Sequence, residues 1–293
     1  MKTEKRRFGD RCNARRIRDI DGVHSYMAYL MPKRTEAEVY IYEELDVTDL
    51  LAFLEEKNSR DADYKTTMFH AMVTAVAKTV RARPLLNRYV SGRKYYMRQN
   101  ITLGFIAKKR FEDHAEEAVM ILKTQDEDML DTISRRIVGE VHVAREETEQ
   151  YGADKILDVL AKLPRCLMQL FMSLIRVIDF YGKMPRSLTD VDTNYCSVLL
   201  SNLGSIRCDA AYHHLNNFGT NSIVITIGEI RKAPQVAPDG SLVARDIMAV
   251  GMTADERIAD GFYFAKSLKL IKHLLANPAL LNTPLKEEVS YEC

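Results

Sequence analysis

The sequence has little that would suit a secreted or membrane protein. Its five cysteines are odd in number and form no C-x-x-C pair, which is typical of reduced thiols in a reducing compartment. They are Cys12, Cys166, Cys196, Cys208 and Cys293. The first residues contain no apolar signal-peptide core. The most apolar stretch is interrupted by Gln169, Arg176 and Asp179, so it does not have the pattern of a membrane span. These absences predict a cytoplasmic protein without a membrane span.

Standard catalytic and metal-binding motifs are also missing. The chain contains no G-x-x-x-x-G-K-[ST], no G-x-G-x-x-G after a strand, no H-E-x-x-H and no G-x-S-x-G. Its seven histidines are scattered, apart from the adjacent His213 and His214. Neighbours in sequence rarely bind the same ion. We therefore expect no metal site.

The composition indicates one ordinary globular domain. Of the 293 residues, 46% are hydrophobic and 28% charged. We find no internal repeat and no linker rich in glycine, serine or proline. The net charge of +1 gives no reason to expect a nucleic acid as partner. We interpret residues 1–22 as a basic N-terminal arm, solvated or partly ordered, with phosphate binding as an alternative. We expect residues 23–293 to form a single domain.

The hydrophobic pattern predicts strands mixed with long helices. Glu38 to Val47 is rich in β-branched and aromatic residues and predicts a strand, followed by a helix towards Lys57. Further helices are predicted at Thr66–Arg83, Asp128–Glu149 and Gly261–Leu275. Further strands are predicted at Ile101–Ala107, Val119–Leu122, Ser197–Leu200, Ser222–Gly228 and Ile247–Met252. This mixture indicates an α/β (α+β) fold.

One predicted helix, from Pro164 to Tyr181, is unusually apolar. Apolar residues recur on it at alternating spacings of three and four, and only a narrow polar edge remains. Such a helix must be covered on more than one side. Three interpretations stay open: it belongs to the domain core, it forms a subunit interface, or it contacts a membrane surface or lipid.

Several segments occur in an order that resembles a known family. Leu200 to Gly204 (LSNLG) is a strand entering a small polar turn, and Asn221 to Ile230 (NSIVITIGEI) contains a strand that ends at a glycine. Met252 to Leu281 contains the segment DERIADG and then a long helix. Together with Asp46-Val47-Thr48 and Arg83-Pro84-Leu85-Leu86-Asn87, these segments resemble the catalytic domain of the acyltransferases of 2-oxo acid dehydrogenase complexes, relatives of chloramphenicol acetyltransferase. The resemblance spans roughly residues 24–281.

The resemblance implies a fold and an activity. The fold is a two-layer sandwich of one mixed sheet and helices, as in chloramphenicol acetyltransferase. The activity is acyl transfer between coenzyme A and a small thiol, hydroxyl or amine acceptor. Family members form trimers with the site between subunits. By position, the oxyanion-stabilising serine corresponds to Ser201, next to Asn202, and the aspartate that shapes the site to Asp260. The arginine of the family's D-H-R-x-x-D-G corresponds to Arg257.

The sequence departs from the family at three places. The general-base histidine is replaced by Glu256, and an arginine ahead of the first strand is replaced by His24. A helical insertion is expected at about residues 152–186. We also expect no lipoyl group on this chain, since Lys155 falls in a helical stretch.

Because a glutamate is a weaker base than a histidine, Glu256 needs a raised pKa to act as the general base. An ordinary thiol has a pKa of about 8.5, a histidine about 6.5 and a glutamate about 4.3. Proton transfer to glutamate is therefore less favourable than to histidine by roughly 3 kcal/mol. This difference is worth on the order of a hundredfold in rate. An apolar pocket raises the pKa of a carboxyl to about 6 or 7. We expect Glu256 to act as base only in such a pocket.

Each candidate residue also has a structural interpretation. Ser201 can hydrogen-bond its own turn, Asp260 can cap the last helix, and Glu256 can be a surface carboxylate. His213 and His214 can be structural or can supply the missing imidazole. The chain is accordingly either an acyltransferase or a catalytically inactive binding or scaffold protein on the same fold.

Overall fold

The computed structural model describes residues 7–60, 64–108, 117–146 and 162–291. Its main sheet has six strands. The strands are β2 (Glu38–Asp46), β5 (Thr102–Lys108), β6 (Glu117–Lys123), β7 (Val198–Asn202), β8 (Ile223–Val236) and β9 (Leu242–Asp255). They lie in the order β2-β9-β8-β7-β5-β6. β7 pairs parallel with β5 and with β8, whereas β6 pairs antiparallel with β5, β9 with β8 and β2 with β9, so the sheet is mixed. The predicted mixed α/β fold is confirmed.

Helices supply the second layer over this sheet. They are α2 (Thr48–Arg60), α3 (Met68–Ala82), α4 (Leu130–Glu146) and α7 (Gly261–Ala276). α3 is central and contacts the other three, so it is buried continuously from His70 to Val80. Thr67 caps its first turn, and the helix stops before Pro84, as the sequence predicts. Alternate residues of β8, such as Ile223, Ile225 and Ile227, pack into this helical layer.

The N-terminal residues are more ordered than a free arm. β1 (Ala14–Arg16) pairs with β4 (Lys94–Arg98), which also pairs with β3 (Arg88–Ser91) in a small second sheet. Arg11 is buried and donates to the Asp179 carbonyl oxygen at 3.2 Å. A short helix, α1 (Gly22–Leu30), follows. Within the arm expected to be solvated or partly ordered, Arg11 and Ala14 are therefore packed on the domain, whereas Phe8 is fully exposed.

A connecting segment, residues 208–219, runs along the sheet face opposite the helices. A β-carbon at Gly228 would lie 2.5 Å from the Ala210 nitrogen, and one at Gly251 would lie 2.8 Å from the Ala211 carbonyl oxygen. These two glycines therefore allow the backbone of the segment to lie directly on β8 and β9. Further along, the Leu215 N–H donates to Glu38 at 2.5 Å. The segment thus extends from the glycine that ends the regular part of β8 to the start of β2.

The unusually apolar helix is α5 (Arg165–Phe180), and a short helix, α6 (Arg186–Thr189), follows it. In the single chain its apolar stripe faces solvent: Leu170 is 68% exposed and Leu174 56%. The described residues leave this stripe uncovered, so it is not part of the core that they form. Residues 152–161 of the expected insertion lie outside the described residues. Within the described ranges, none of the helices has the length and hydropathy needed to cross a membrane.

Candidate functional site

The DERIADG segment forms a tight turn between β9 and α7, built around a buried ion pair. Asp255 and Arg257 are 0% and 2% exposed. The Arg257 guanidinium donates from Nε and Nη2 to the two oxygens of Asp255, each at 2.7 Å. A bidentate pair of this kind fixes both side chains. Arg257 also donates to the Met31 carbonyl oxygen at 2.7 Å, which ties the turn to the end of α1.

A second buried arginine, Arg34, supports the same turn. Its Nε lies 3.8 Å from the Asp255 carboxylate. Its guanidinium donates to the carbonyl oxygens of Asn216, of Gly219 at 3.0 Å and of Val90 at 3.3 Å. Burial lowers the pKa of Arg34 to about 10, against the opposing effect of Asp255. Arg34 stays protonated at neutral pH and joins the turn to residues 216–219 and to β3.

Glu256 lies between the two members of the ion pair and is exposed. Its backbone N–H donates to the Ala37 carbonyl oxygen at 2.9 Å, so the backbone at this position is fixed. Its carboxylate forms no hydrogen bond or ion pair with any of the described residues. The turn therefore presents an unpaired carboxylate on a rigid support. Because the side chain is exposed, the described residues do not enclose its carboxylate in an apolar pocket.

Ser201 lies at the end of β7, where the strand enters a 3₁₀ turn (Leu203–Ile206). The hydrogen bonds of this turn come from other groups: Ser205 Oγ donates to the Asn202 carbonyl oxygen at 2.8 Å, and the Cys208 N–H donates to the Leu203 carbonyl oxygen at 3.1 Å. The Ser201 hydroxyl has no hydrogen-bond partner in the described part of the chain. It is therefore free to donate to a ligand.

The sheet places Ser201 and Glu256 at opposite ends, because each lies at the carboxyl end of its strand and β9 runs antiparallel to β7 and β8. Ser201 is paired with Thr226, and Thr226 with Gly251, whereas Glu256 lies five positions beyond Gly251. Two strand spacings and four to five residues of rise separate the two positions by about 15–20 Å. Neither side chain is long enough to close this gap. One chain by itself does not bring the two candidates together.

The remaining predicted site residues have structural partners. Asp260 caps α7, and its Oδ1 accepts the Tyr263 N–H at 2.7 Å. His24 lies in α1, with Nδ1 2.6 Å from an Asp21 carboxylate oxygen and its ring edge-on to Tyr95. Asn202 contributes its carbonyl oxygen to the turn after β7. Catalytic or supporting roles for these three residues stay predictions.

The two adjacent histidines lie on the connecting segment, near the Glu256 end of the sheet. His213 Nδ1 is 2.8 Å from the His214 carbonyl oxygen, and His214 Nδ1 is 3.2 Å from the Leu215 carbonyl oxygen. Leu215 is bonded to Glu38, which pairs with Asp255 across the sheet. Both imidazoles are exposed. The fold therefore places two exposed imidazoles on the segment that reaches the start of β2, which is paired with the end of β9.

The part of the chain that the structure describes contains no set of metal ligands. No group of three or more His, Cys, Asp or Glu side chains is arranged there to hold an ion. The expectation of no metal site stays a prediction for the whole chain.

Sequence reasoning missed Arg34, which supports the candidate turn from ten residues beyond His24. Its sequence context is a Lys-Arg pair just ahead of β2, which does not differ from an ordinary solvated surface. Arg34 is buried among residues 216–219, β3 and the Asp255 carboxylate, all of them distant in sequence. No local pattern in the sequence carries that information.

Comparisons with known proteins agree with this geometry. The family model described as 2-oxoacid dehydrogenases acyltransferase (catalytic domain) matches residues 15–110 and 184–283. The lipoamide acyltransferase component of the branched-chain alpha-keto acid dehydrogenase complex of Bacillus subtilis (strain 168) is 23% identical over 262 residues. That match covers 87% of this chain and 51% of the relative, so the chain spans about half the length of the relative.

Solved structures share the fold. A probable dihydrolipoamide acetyltransferase from Listeria monocytogenes 4b F2365 is similar with a TM-score of 0.61 and 20% identity, covering 92% of this chain and 98% of that one. A chloramphenicol acetyltransferase is similar with a TM-score of 0.54 and 12% identity, covering 89% and 99%. The predicted chloramphenicol acetyltransferase-like fold is confirmed.

Proposed function

The chain belongs to the 2-oxoacid dehydrogenase acyltransferase (catalytic domain) family, and on that premise we propose that it transfers an acyl group between coenzyme A and a small acceptor. The acceptor carries a thiol, hydroxyl or amine. The observation that carries the proposal is the clamped turn. Asp255 and Arg257 hold the turn, and the Glu256 carboxylate between them is exposed. By the resemblance, Glu256 corresponds to the family's histidine. Acyl-CoA is the acyl donor and free coenzyme A is the product, and the proposed steps use no metal.

The proposed reaction needs one proton acceptor and one oxyanion donor. Glu256 takes the proton of the acceptor thiol, and the resulting thiolate attacks the thioester carbonyl carbon of acyl-CoA. The Ser201 hydroxyl donates a hydrogen bond to the oxyanion of the tetrahedral intermediate. The carbon–sulfur bond to coenzyme A then breaks, and the departing thiolate recovers the proton from Glu256. His213 and His214 are the alternative proton acceptors.

A complete site requires two copies of the chain. Ser201 and Glu256 are about 15–20 Å apart in one chain, so a single substrate carbonyl cannot meet both. In a closed ring of three copies, the Ser201 end of one chain faces the Glu256 end of the next. The neighbouring copy would also enclose the Glu256 carboxylate and provide the pocket that a glutamate base needs. We therefore propose a homotrimer with one site at each contact.

The names of the relatives support one class of acceptor. The curated relative is a lipoamide acyltransferase, and the similar solved structure from Listeria monocytogenes is a probable dihydrolipoamide acetyltransferase. A dithiol such as dihydrolipoamide is therefore the first acceptor to test. Simple thiols, alcohols and amines serve as the comparison set.

The test is an acyl-transfer assay with acetyl-CoA, in which release of free coenzyme A and formation of the acylated acceptor are both measured. Ser201→Ala removes the oxyanion donor and is expected to lower kcat by about a hundredfold or more. Ser205→Ala, in the same turn, is the matched control and is expected to keep most of the activity. Glu256→Ala is compared with His213→Gln and His214→Gln, to separate the carboxylate from the imidazoles as proton acceptor.

Two outcomes would contradict the assignment. Turnover that persists unchanged in both Ser201→Ala and Glu256→Ala would exclude the proposed residues. Acyl-CoA binding without turnover for any acceptor class would instead indicate a non-catalytic binding protein on this fold.

A further inference from the structure

A cavity of about 540 Å³ lies beside the Asp255–Arg257 turn. Its walls come from separate parts of the chain: residues 32–34, the turn between β3 and β4, the end of α5, residues 216–219, and Arg257. This volume is in the range of small-molecule sites. The wall formed by α5 falls within residues 111–183, which the family model does not match. The α5 wall is therefore particular to this chain, whereas the other walls lie in segments that the family model matches.

Positive charge dominates the lining. Five cationic side chains and one acidic side chain face the cavity; they are Lys33, Arg34, Arg93, Arg176, Arg257 and Asp179. Part of this charge is already compensated, since Arg257 is paired with Asp255 and Arg34 donates to backbone carbonyl oxygens. Asp179 is also occupied, because one of its oxygens accepts the Tyr195 hydroxyl at 2.8 Å.

Arg93 and Arg176 are the two guanidinium groups that remain available. Neither forms a hydrogen bond or an ion pair with any residue in the described ranges. Arg93 lies 5.3 Å from the Tyr29 ring centroid, a cation–π contact that leaves its N–H groups free. An unpaired guanidinium at a concave surface is a strong donor for phosphate, because its planar N–H fork matches two phosphate oxygens.

Arg93 is held at the cavity by an uncommon backbone conformation. Gly92 and Arg93 form the two-residue turn between β3 and β4, with φ of 58° and 57°. A non-glycine residue with positive φ is uncommon, and such strain often occurs at functional positions. A β-carbon at Gly92 would collide with the Phe180 carbonyl oxygen, so the turn and the end of α5 are in direct contact. This contact brings Arg93 and Arg176 to one cavity.

We propose that this cavity binds a phosphate monoester, with Arg93 and Arg176 as its two phosphate-binding side chains. The double negative charge of such a group matches the two free guanidinium groups. The phosphate comes either from the 3′-phosphate of coenzyme A or from a separate phosphorylated ligand. Binding to this cavity does not require turnover, so the proposal stands apart from the proposed acyl transfer.

The test is calorimetric titration of the full chain at low ionic strength with inorganic phosphate, coenzyme A and dephospho-coenzyme A. Arg93→Gln and Arg176→Gln are each expected to weaken phosphate binding by about tenfold or more. Arg165→Gln is the matched control, because Arg165 lies on the same helix but does not line the cavity. The control is expected to bind phosphate as the unmodified protein does.

The two sources of phosphate give different results. If the 3′-phosphate of coenzyme A occupies the cavity, both variants weaken coenzyme A binding and leave dephospho-coenzyme A binding unchanged. If a separate ligand occupies it, coenzyme A affinity is unchanged and inorganic phosphate still binds in its presence. The proposal is overturned if phosphate does not bind, or if Arg165→Gln reduces its binding as much as the other two variants. A loss of acyl transfer with phosphate binding intact would contradict only the proposed function.

Discussion

The Arg257 guanidinium turns back onto the Asp255 carboxylate across one intervening residue, with both N···O distances at 2.7 Å. This local clamp accounts for the shape of the turn before α7. It uses the two charged residues that flank Glu256, and it leaves the Glu256 carboxylate as the free acid of the segment. The same two residues therefore stabilise the fold and orient the candidate base.

Removing one partner of the clamp is expected to destabilise the protein strongly. Asp255→Asn would leave Arg257 buried without its counter-charge, which costs about 3–5 kcal/mol in the free energy of unfolding. Glu256→Gln is the matched control and is expected to change that free energy by less than about 0.5 kcal/mol, since the side chain is exposed. Urea unfolding at one fixed protein concentration measures both. A loss for Asp255→Asn no larger than that of the control would contradict the structural role of the pair.

Replacing the carboxylate by the family's imidazole is expected to increase the rate. An ordinary histidine is closer in pKa to a thiol than an ordinary glutamate is, by about 2 units or roughly 3 kcal/mol. Glu256→His is therefore expected to raise kcat for a thiol acceptor at about pH 7.5 by up to about a hundredfold. Steady-state kinetics with acetyl-CoA checks this. If Glu256→His is as slow as Glu256→Ala, the position does not carry the base.

A buried histidine in α3 gives a pH dependence to stability. Burial lowers the pKa of His70 to about 4, and its Nδ1 accepts the Thr67 N–H at 3.2 Å. The unfolded chain binds this proton at a pKa of about 6.5, so the folded state binds fewer protons between the two values. The contribution of His70 to the free energy of unfolding therefore has its full value above about pH 6.5. It decreases as the pH falls towards 4, by about 3 kcal/mol at most.

The variant His70→Gln isolates that contribution. Unfolding free energies measured at pH 7.5, 6, 5 and 4 are expected to fall less steeply for His70→Gln than for the unmodified protein, because the proton uptake on unfolding is removed. The exposed His213→Gln is the control and is expected to follow the unmodified protein. Parallel profiles for all three proteins would show that His70 is not held neutral in the folded state.

The sequence pattern is sufficient to predict those helices and strands in which apolar and polar residues alternate clearly. The pattern of Thr66–Arg83 predicts a helix, and this helix is observed as α3. Its ends are predictable because a capping threonine and a proline mark them. The burial of Lys78 on that helix was not predictable. It is 1% exposed, and its Nζ donates to the carbonyl oxygens of Leu280 at 3.0 Å and Pro284 at 3.1 Å. That environment comes from a segment about two hundred residues away in the chain.

In the candidate site, too, the sequence predicts some features and not others. The positions of Ser201 and Glu256 in their turns follow from local pattern and resemblance. Their separation follows only from the order and direction of the strands, which place β8 between β7 and β9 and put the two residues at opposite ends of the sheet. Arg34 and the cavity cations Arg93 and Arg176 come from segments that are distant in sequence. Local periodicity carries no information about such contacts.

The most direct test of a site shared between copies is subunit complementation. Glu256→Ala and Ser201→Ala each inactivate every site of a uniform trimer. In trimers assembled from an equal mixture of both variants, about one quarter of the contacts combine an intact Ser201 with an intact Glu256. The mixture is therefore expected to recover about one quarter of the unmodified activity, against about 1% for either variant alone. If the mixture stays as inactive as its components, the two residues do not form one site across neighbouring copies.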